Sequence, residues 1–593
     1  MSVNLKKYWE RKIANLLPKE SHSLEEFQSL SRFHLISARE TAVMMVGALI
    51  IGNGCGVLAI GLNWSVHQLQ EGLRLLPTGL WSVFFPALGA GFAVFFIRSI
   101  LGDKGGHGVP EVLKSVSLGK GRLSKRMIGS RFIGSLLTVG FGGSAGLEGP
   151  IVCVGGAWGA WVGRRLHLNE RRRKLLIGYG TAGAVAGIFN APLTGIFFAL
   201  EIVLGEWSFL TILPSIIAAT SATELSRLIV GNKIAFYHDI ADFSLLSLLA
   251  CIVLGGITGL VSVAFNRSLS LWEETFRKLT KSPWNRAFLG GLMVGILGYI
   301  MPEILSEGYD TTQNFLTSPL RPTLGFVLLF FILKFIACGI TVGSGGVGGV
   351  FAPSLVIGSS IGLAYGMILH LLPYHDFAEA EAFSLTAMTG MVTGVMHGPL
   401  TGIFLIMEST GGYSLILPLM LTASMAMLVS HLLDIGSVYT HELIATGDLA
   451  RPGTDAYLLH HLNIRDILDT DCITIKENLL LGNFIEVFKE SHRNYFPVLS
   501  VQSELCVGVV FLDDVRNYLF NEDLYGLVTM GAVMRTVPLI NPNHPVSEAL
   551  KIFEKSGEWS LPVVENEKFL GMLSKSTLFD HYRREFLVQT DEN

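Results

Sequence analysis

Charge is scarce in this chain. Only 16% of its 593 residues are Asp, Glu, Lys or Arg, and the net charge is -4. That excludes a protein that grips nucleic acid through a basic face. Cysteine is sparse as well: Cys55, Cys153, Cys251, Cys338, Cys472 and Cys506 are scattered, with no CxxC pair and no metal-ligand spacing. A disulfide scaffold, a thiol redox centre and a zinc site are therefore not indicated, and these residues read as small apolar fillers. No Walker-type phosphate loop is present, which argues against nucleotide hydrolysis and against an enzyme of that kind. Residues 1–34 are polar and mixed in charge, without a short apolar stretch ending in a cleavage site, so no secretory signal peptide is evident. Within them, residues 5–17 are expected to form a surface helix.

What the chain has in abundance is apolar surface. Half of its residues are hydrophobic and the mean hydropathy is +0.49, well away from a soluble domain. Apolar segments at 41–60, 81–100, 243–265, 287–304, 324–340 and 415–433 follow closely, and several are long enough to span a bilayer. Others are short and broken by Gly and Pro, around 142–150 and 343–353. Such interruptions are tolerated in lipid only where they line an enclosed cavity, and they point to a transporter's binding site. The short run holding Arg164, Arg165, Arg171, Arg172, Arg173 and Lys174 belongs on the cytoplasmic side by the positive-inside rule.

Within this region the stretch Gly142-Gly-Ser-Ala-Gly-Leu-Glu-Gly-Pro150 holds a lone acid. A carboxylate in hydrocarbon costs at least ~2.5 kcal/mol, so Glu148 is a functional candidate by default. Pro150 suits the first turn of a helix, which places Glu148 at a helix N-terminus, where free N–H groups attract anions. A carboxylate tethered there would hold an anion's position until a mobile anion or a proton displaced it.

The region also repeats. Asn190-Ala-Pro-Leu-Thr-Gly-Ile-Phe-Phe-Ala-Leu-Glu201 recurs as His397-Gly-Pro-Leu-Thr-Gly-Ile-Phe-Leu-Ile-Met-Glu408, with Pro192 and Pro399 207 residues apart. The glycine-rich segments ending at Pro150 and Pro353 are 203 residues apart. Two halves, each with a broken glycine-rich element followed by a PLTGIF helix, fit a repeat transporter whose site lies between them.

Gly106-His-Gly-Val-Pro-Glu111, Gly146-Leu-Glu-Gly-Pro150 and Gly349-Val-Phe-Ala-Pro353, in this order and spacing, resemble the three signature segments of the CLC family of chloride channels and anion/proton exchangers. The resemblance covers roughly residues 35–445. It implies an α-helical polytopic membrane domain of about 18 helices arranged as two inverted repeats, in a homodimer whose subunits each hold an anion pathway. It further implies that Glu148 gates the outer position beside Gly149, that the amides of Val350 and Phe351 serve the central anion, and that the Tyr439 hydroxyl contacts it. Helix N-termini supply partial positive charge there without a full cation that would trap the ion.

The sequence departs from the family pattern at two positions. His107 stands where most chloride-selective members carry serine, which leaves the preferred anion open. A neutral imidazole there donates one N–H, and an imidazolium would bind anions more strongly below a pH of about 6.5. The other reading is that His107 turns away and backbone amides do the work. At Ile202, directly after Glu201, family exchangers usually carry a second acid that relays protons from the inner side. Isoleucine carries no proton, so the sequence favours an uncoupled, Glu148-gated chloride channel. The alternative is a chloride/proton antiporter with an unconventional inner path. A CBS-regulated cation transporter ranks last, since the membrane acids are few and separated. Glu201 and Glu408 read as structural acids at helix ends.

The composition changes after residue 443. A polar linker at 446–462, including Arg451-Pro-Gly453, leads to short apolar strands alternating with amphipathic helices, as in an α/β domain. Tyr495-Phe-Pro-Val-Leu499 with Val507-Gly-Val-Val510 is echoed by Ser560-Leu-Pro-Val-Val564 with Leu570-Gly-Met-Leu573. This resembles a tandem pair of CBS domains, expected at 463–525 and 526–588. In nucleotide-binding members an acid after the last strand holds ribose hydroxyls. Asp514 matches it in the first copy, whereas the second copy has Thr577, so adenine-nucleotide binding competes with a purely structural module. No cofactor or metal is required by these readings, and the expected partners are the lipid bilayer, a second copy and small anions. A soluble module after an even number of helices puts both termini in the cytoplasm, in a membrane that suits a bacterial plasma membrane.

Overall fold

The computed structural model describes residues 24–76, 79–103, 108–117, 120–232, 236, 243–317, 322–373, 377–446, 459, 462–503 and 505–591, with side chains placed from residue 41 and excepting 445–446 and 585–591. The expected surface helix at 5–17, His107 and nearly all of the polar linker lie outside these residues. From Leu24 to Thr446 the described residues form seventeen α-helices. Among the described residues, seven helical segments are long and apolar enough to cross a membrane: Thr41–Arg74, Leu80–Ile100, Phe209–Val230, Leu245–Leu279, Leu324–Gly343, Phe351–Leu369 and Ile416–Leu433. Phe209–Val230 and Phe351–Leu369 are absent from the segments picked by hydropathy. The first carries Glu224 and Arg227, and the second starts inside a glycine-rich break, so neither stands out in a linear scan. The expected 287–304 segment divides into the helix Pro283–Ile300 and a tight turn at Pro302–Ile304.

The helices meet on small residues. A Cβ on Gly155 would sit 2.3 Å from the Gly180 carbonyl, and one on Gly180 would sit 2.1 Å from the Gly155 carbonyl. Only hydrogen at both positions lets the helices Glu148–Arg165 and Glu170–Phe189 touch backbone to backbone, which is how association proceeds where lipid removes the hydrophobic drive.

The two sequence repeats are joined by matched hydrogen bonds. Gly146 and Gly349 exchange both N–H···O bonds at 2.7 Å. The Ser144 amide donates to Thr341 Oγ1 at 3.1 Å, and its counterpart, the Val347 amide, donates to Thr138 Oγ1 at 3.1 Å. Glu201 accepts from the amides of Leu400 and Thr401 at 3.2 and 2.9 Å, and Glu408 accepts from those of Leu193 and Thr194 at 2.9 and 2.8 Å. Each acid thus satisfies the orphan N–H groups of the other repeat's PLTGIF helix, Pro192–Phe197 or Pro399–Thr410. The reading of both as structural acids agrees with this geometry.

The C-terminal part is α/β. Strands Ile475–Lys476, Tyr495–Leu499 and Cys506–Phe511 form one sheet, parallel then antiparallel, and Ser560–Glu565 pairs antiparallel with Lys568–Ser574 in another. The register slips at Val498/Leu499 in the first copy and at Val563/Val564 in the second, the same place in each repeat. Val509 of the first copy is buried with Ile540, Leu561, Val563 and Met572 of the second, so the copies share a core.

Candidate functional site

Two helices begin at the centre of the membrane domain. Glu148–Arg165 starts after a glycine-rich turn, and Phe351–Leu369 starts after its repeat counterpart, each with a proline in its first turn. The Gly146–Gly349 bridge holds these two starts side by side. Glu148 is 2% exposed, and its carboxylate crosses from its own helix to the start of the other: the Ala352 amide donates to Oε2 at 3.4 Å. Gly146 makes room for it, since a Cβ there would lie 2.1 Å from Oε2. The negative group therefore rests where two sets of unsatisfied N–H groups converge.

A second contact was not legible in the sequence. Tyr309, which opens the short helix Tyr309–Thr317, donates its hydroxyl to Glu148 Oε1 at 2.7 Å. Its position is set by a loop in which Ser306 (φ 55°) and Gly308 (φ 90°) take the left-handed conformation. Lys334 locks that loop. Wholly buried, its ammonium donates to the carbonyls of Ile304 and Ser306 at 2.9 and 2.8 Å. One signal did exist for Lys334: it is the sole charged residue in the apolar helix Leu324–Gly343, and an intramembrane cation is as noteworthy as an acid. Tyr309 in Ser306-Glu-Gly-Tyr309 carries no comparable mark.

The remaining expected residues fall in several places. Val350, Phe351, Ile202 and Tyr439 are buried in one apolar cluster, with Phe351 against Phe189 at a ring separation of 5.0 Å. Tyr439 lies within electrostatic reach of Glu148. Gly149 packs on Gly349, where a Cβ would come within 2.9 Å of its Cα. Ile202 sits in a wide helical turn at Phe198–Leu204, and its side chain approaches Gly398 of the other repeat. His107 lies outside the described residues.

Asp514 and Thr577 are far apart in role. The Arg535 guanidinium donates to Asp514 Oδ1 and also reaches Glu558 at 3.2 Å, while it lies over the Phe511 ring at 5.4 Å. Asp514 Oδ2 is buried without a partner. Thr577 Oγ1 is 2.7 Å from Ser574 Oγ, closing a local turn. Among the described residues no group of three or more His, Cys, Asp or Glu is placed to hold a metal ion.

The basic run is partly structural. Arg164 donates to the Leu123 carbonyl at 2.8 Å, Arg173 to that of Lys120 at 2.9 Å, and Lys174 is buried beside Glu170 at 3.4 Å. These cations tie down the connection ahead of the helix Arg126–Gly140 as well as marking one face of the membrane domain.

Comparison with known proteins agrees with this geometry. The sequence matches the voltage gated chloride channel family over residues 89–431, and the CBS domain twice, over 464–521 and 525–584. It is 30% identical over 425 residues to the H(+)/Cl(-) exchange transporter ClcA of Yersinia pestis bv. Antiqua (strain Angola), covering 68% of this chain and 88% of that protein. The crystal structure of a slow cyanobacterial Cl-/H+ antiporter superposes with a TM-score of 0.61 at 26% identity, covering 68% of this chain and 97% of that one. A eukaryotic CLC transporter structure shares the fold at a TM-score of 0.60 and 17% identity, and covers 90% of this chain and 97% of its own. With its paired helix starts, its reciprocal repeat contacts and these matches, the chain belongs to the CLC family of anion-transporting membrane proteins and carries a tandem CBS module.

Proposed function

We propose that this protein exchanges chloride for protons across the membrane, with Glu148 as the shared gate for both. The observation that carries the reading is the Glu148 carboxylate docked at the start of the Phe351 helix by the Ala352 amide and the Tyr309 hydroxyl. A carboxylate in that place competes with chloride for the same donors, and protonation removes the charge that holds it there. One residue then couples the two ions. Chloride would pass His107, rest against the amides of Val350 and Phe351 and the hydroxyl of Tyr439, and displace Glu148 beside Gly149. The matching relatives named as proton/chloride exchangers support coupling over the uncoupled channel that Ile202 suggests. Ile202 then requires that protons reach Glu148 from the inner side by a route without a carboxylate at this position, such as ordered water.

The basic run supports a cytoplasmic Arg164–Lys174 face, and the soluble C-terminal module after an even number of helices supports cytoplasmic termini. The protein acts as a homodimer on the strength of the family resemblance. For the CBS pair, Arg535 already holds Oδ1 of Asp514 and the second copy has Thr577 in place of the acid, so a structural and regulatory module is the better-supported reading.

The deciding measurement is proton movement in liposomes under an imposed chloride gradient, with potassium and valinomycin fixing the voltage. Exchange predicts uphill proton movement that Glu148→Gln abolishes while chloride flux persists. Chloride dissipation with no proton movement in the wild type would return the uncoupled channel to first place.

A further inference from the structure

Beside the gate lies a cavity of about 200 Å³ whose wall includes Gly108, Gly149 and Pro150. It is bounded by the end of the Phe85–Phe95 helix and its continuation, the helix Arg126–Gly140, the end of Leu245–Leu279, the start of Pro283–Ile300 and the glycine-rich segment at 342–348. Glu148, Tyr309 and Ala352 are not in its lining. Four arginines are: Arg98, Arg131, Arg277 and Arg286, against the single acid Glu273.

The charges do not balance. Arg277 is paired with Glu273 at 2.5 Å, and Arg131, 2% exposed, reaches Glu111 behind the wall at 3.3 Å. Arg98 and Arg286 form no ion pair with any described residue, and Arg286 lies within electrostatic reach of Arg277 and Arg98 and of the one acid Glu273, which Arg277 already holds. Nε of Arg131 and Nε of Arg286 are buried with no hydrogen-bond partner. Buried guanidinium N–H groups are ordinarily satisfied, and both side chains line the cavity together with Arg98, so an acceptor placed there would meet guanidinium donors. A planar guanidinium fork matches the paired oxygens of an oxyanion better than it matches a spherical halide. The Arg98 turn lies near the Arg164–Lys174 run, because Arg126, at the near end of its helix, meets Gly102 after that turn, and Arg164 bonds Leu123 just ahead of it.

We propose that this arginine-lined cavity binds a phosphate-type oxyanion, supplied either as the free ion or as the headgroup of an anionic phospholipid. The cavity shares Gly149 with the outer anion position but does not include Glu148, and its occupant would rest under Gly149–Pro150 and Gly343–Gly348, the two broken segments that frame the gate.

The full chain in phosphatidylcholine nanodiscs, titrated calorimetrically with inorganic phosphate at constant ionic strength, tests this. One saturable site per chain is expected, weakened at least tenfold in the double variant Arg98→Gln/Arg286→Gln. That variant should keep its thermal midpoint and its chloride flux in phosphate-free liposomes, since neither residue touches the gate. Repeating the titration with phosphatidylglycerol present separates the sources: unchanged phosphate affinity assigns the site to the free ion, and lost phosphate binding assigns it to the headgroup. Native mass spectrometry then counts phosphatidylglycerol retained by the wild type and by the double variant. Equal phosphate affinity in both proteins overturns the proposal. So does the absence of saturable phosphate binding together with equal lipid retention.

Discussion

Tyr309 and Glu148 form the contact on which the resting position of the proposed gate depends. The hydroxyl donates to a carboxylate that also takes the Ala352 amide, so the negative charge is shared between a side chain and a helix start. A hydrogen bond to a charged group contributes about 1.5–3 kcal/mol. Tyr309→Phe removes that donor and keeps the ring, whose packing against Phe236 at 5.9 Å is unaffected. Chloride flux at neutral external pH is therefore expected to rise by roughly tenfold or more, as the carboxylate leaves its place more readily. Flux in proteoliposomes equal to that of wild type would show that the Tyr309 hydroxyl does not hold the proposed gate in place. Of the residues at this site, Glu148, Val350 and Phe351 are marked in the sequence by glycine, proline and a lone acid. Tyr309 is not, because a loop distant in sequence carries it there and Lys334 holds that loop in place.

Between elements, the two repeats depend on each other for their helix caps. Glu408 supplies acceptors to the start of Pro192–Phe197, and Glu201 supplies them to the start of Pro399–Thr410. Glu408→Ala would leave two part-buried amides without their acceptor, a cost of about 1–3 kcal/mol. The thermal midpoint of the purified protein should fall, and fall less in Glu408→Gln, whose amide oxygen still accepts one bond. An unchanged midpoint in the alanine variant would mean that water replaces the carboxylate and that the cap is not structural. The repeat itself is legible in the PLTGIF hexamer. That each acid serves the opposite repeat is not, because the two hexamers are brought together only by the way the halves cross at Gly146 and Gly349.

In the whole molecule, the C-terminal module is a separate folded unit with its own apolar clusters. Its two cysteines report on that folding. Burial pushes the thiols of Cys472 and Cys506 up to about 11. Both are protonated well above neutral pH, and the thiolate is the reactive form. At pH 7.5 maleimide labelling of the folded protein should be about a hundredfold slower than that of an exposed thiol with an ordinary pKa near 8.5, and it should accelerate as pH rises toward 11. Peptide mass spectrometry after timed labelling reads both sites. Fast labelling at pH 7.5 would show that the module opens readily. Matching register slips at Val498/Leu499 and Val563/Val564 show that the duplication seen in sequence extends to the pairing of strands.

Hydropathy, the broken glycine segments and the two duplications lie along the chain, and they sufficed to identify a membrane domain of two halves followed by a paired α/β module. Periodicity and breaks are local properties, so each can be read without knowing what packs on what. The tertiary structure alone decided which groups converge. It brought Tyr309 and Ala352 onto Glu148, exchanged the acids of the two repeats, occupied Asp514 with Arg535, and gathered Arg98, Arg131, Arg277 and Arg286 around one cavity. These partners are separated by tens to hundreds of residues in sequence, and a hydrogen bond or an ion pair is fixed by distance in space.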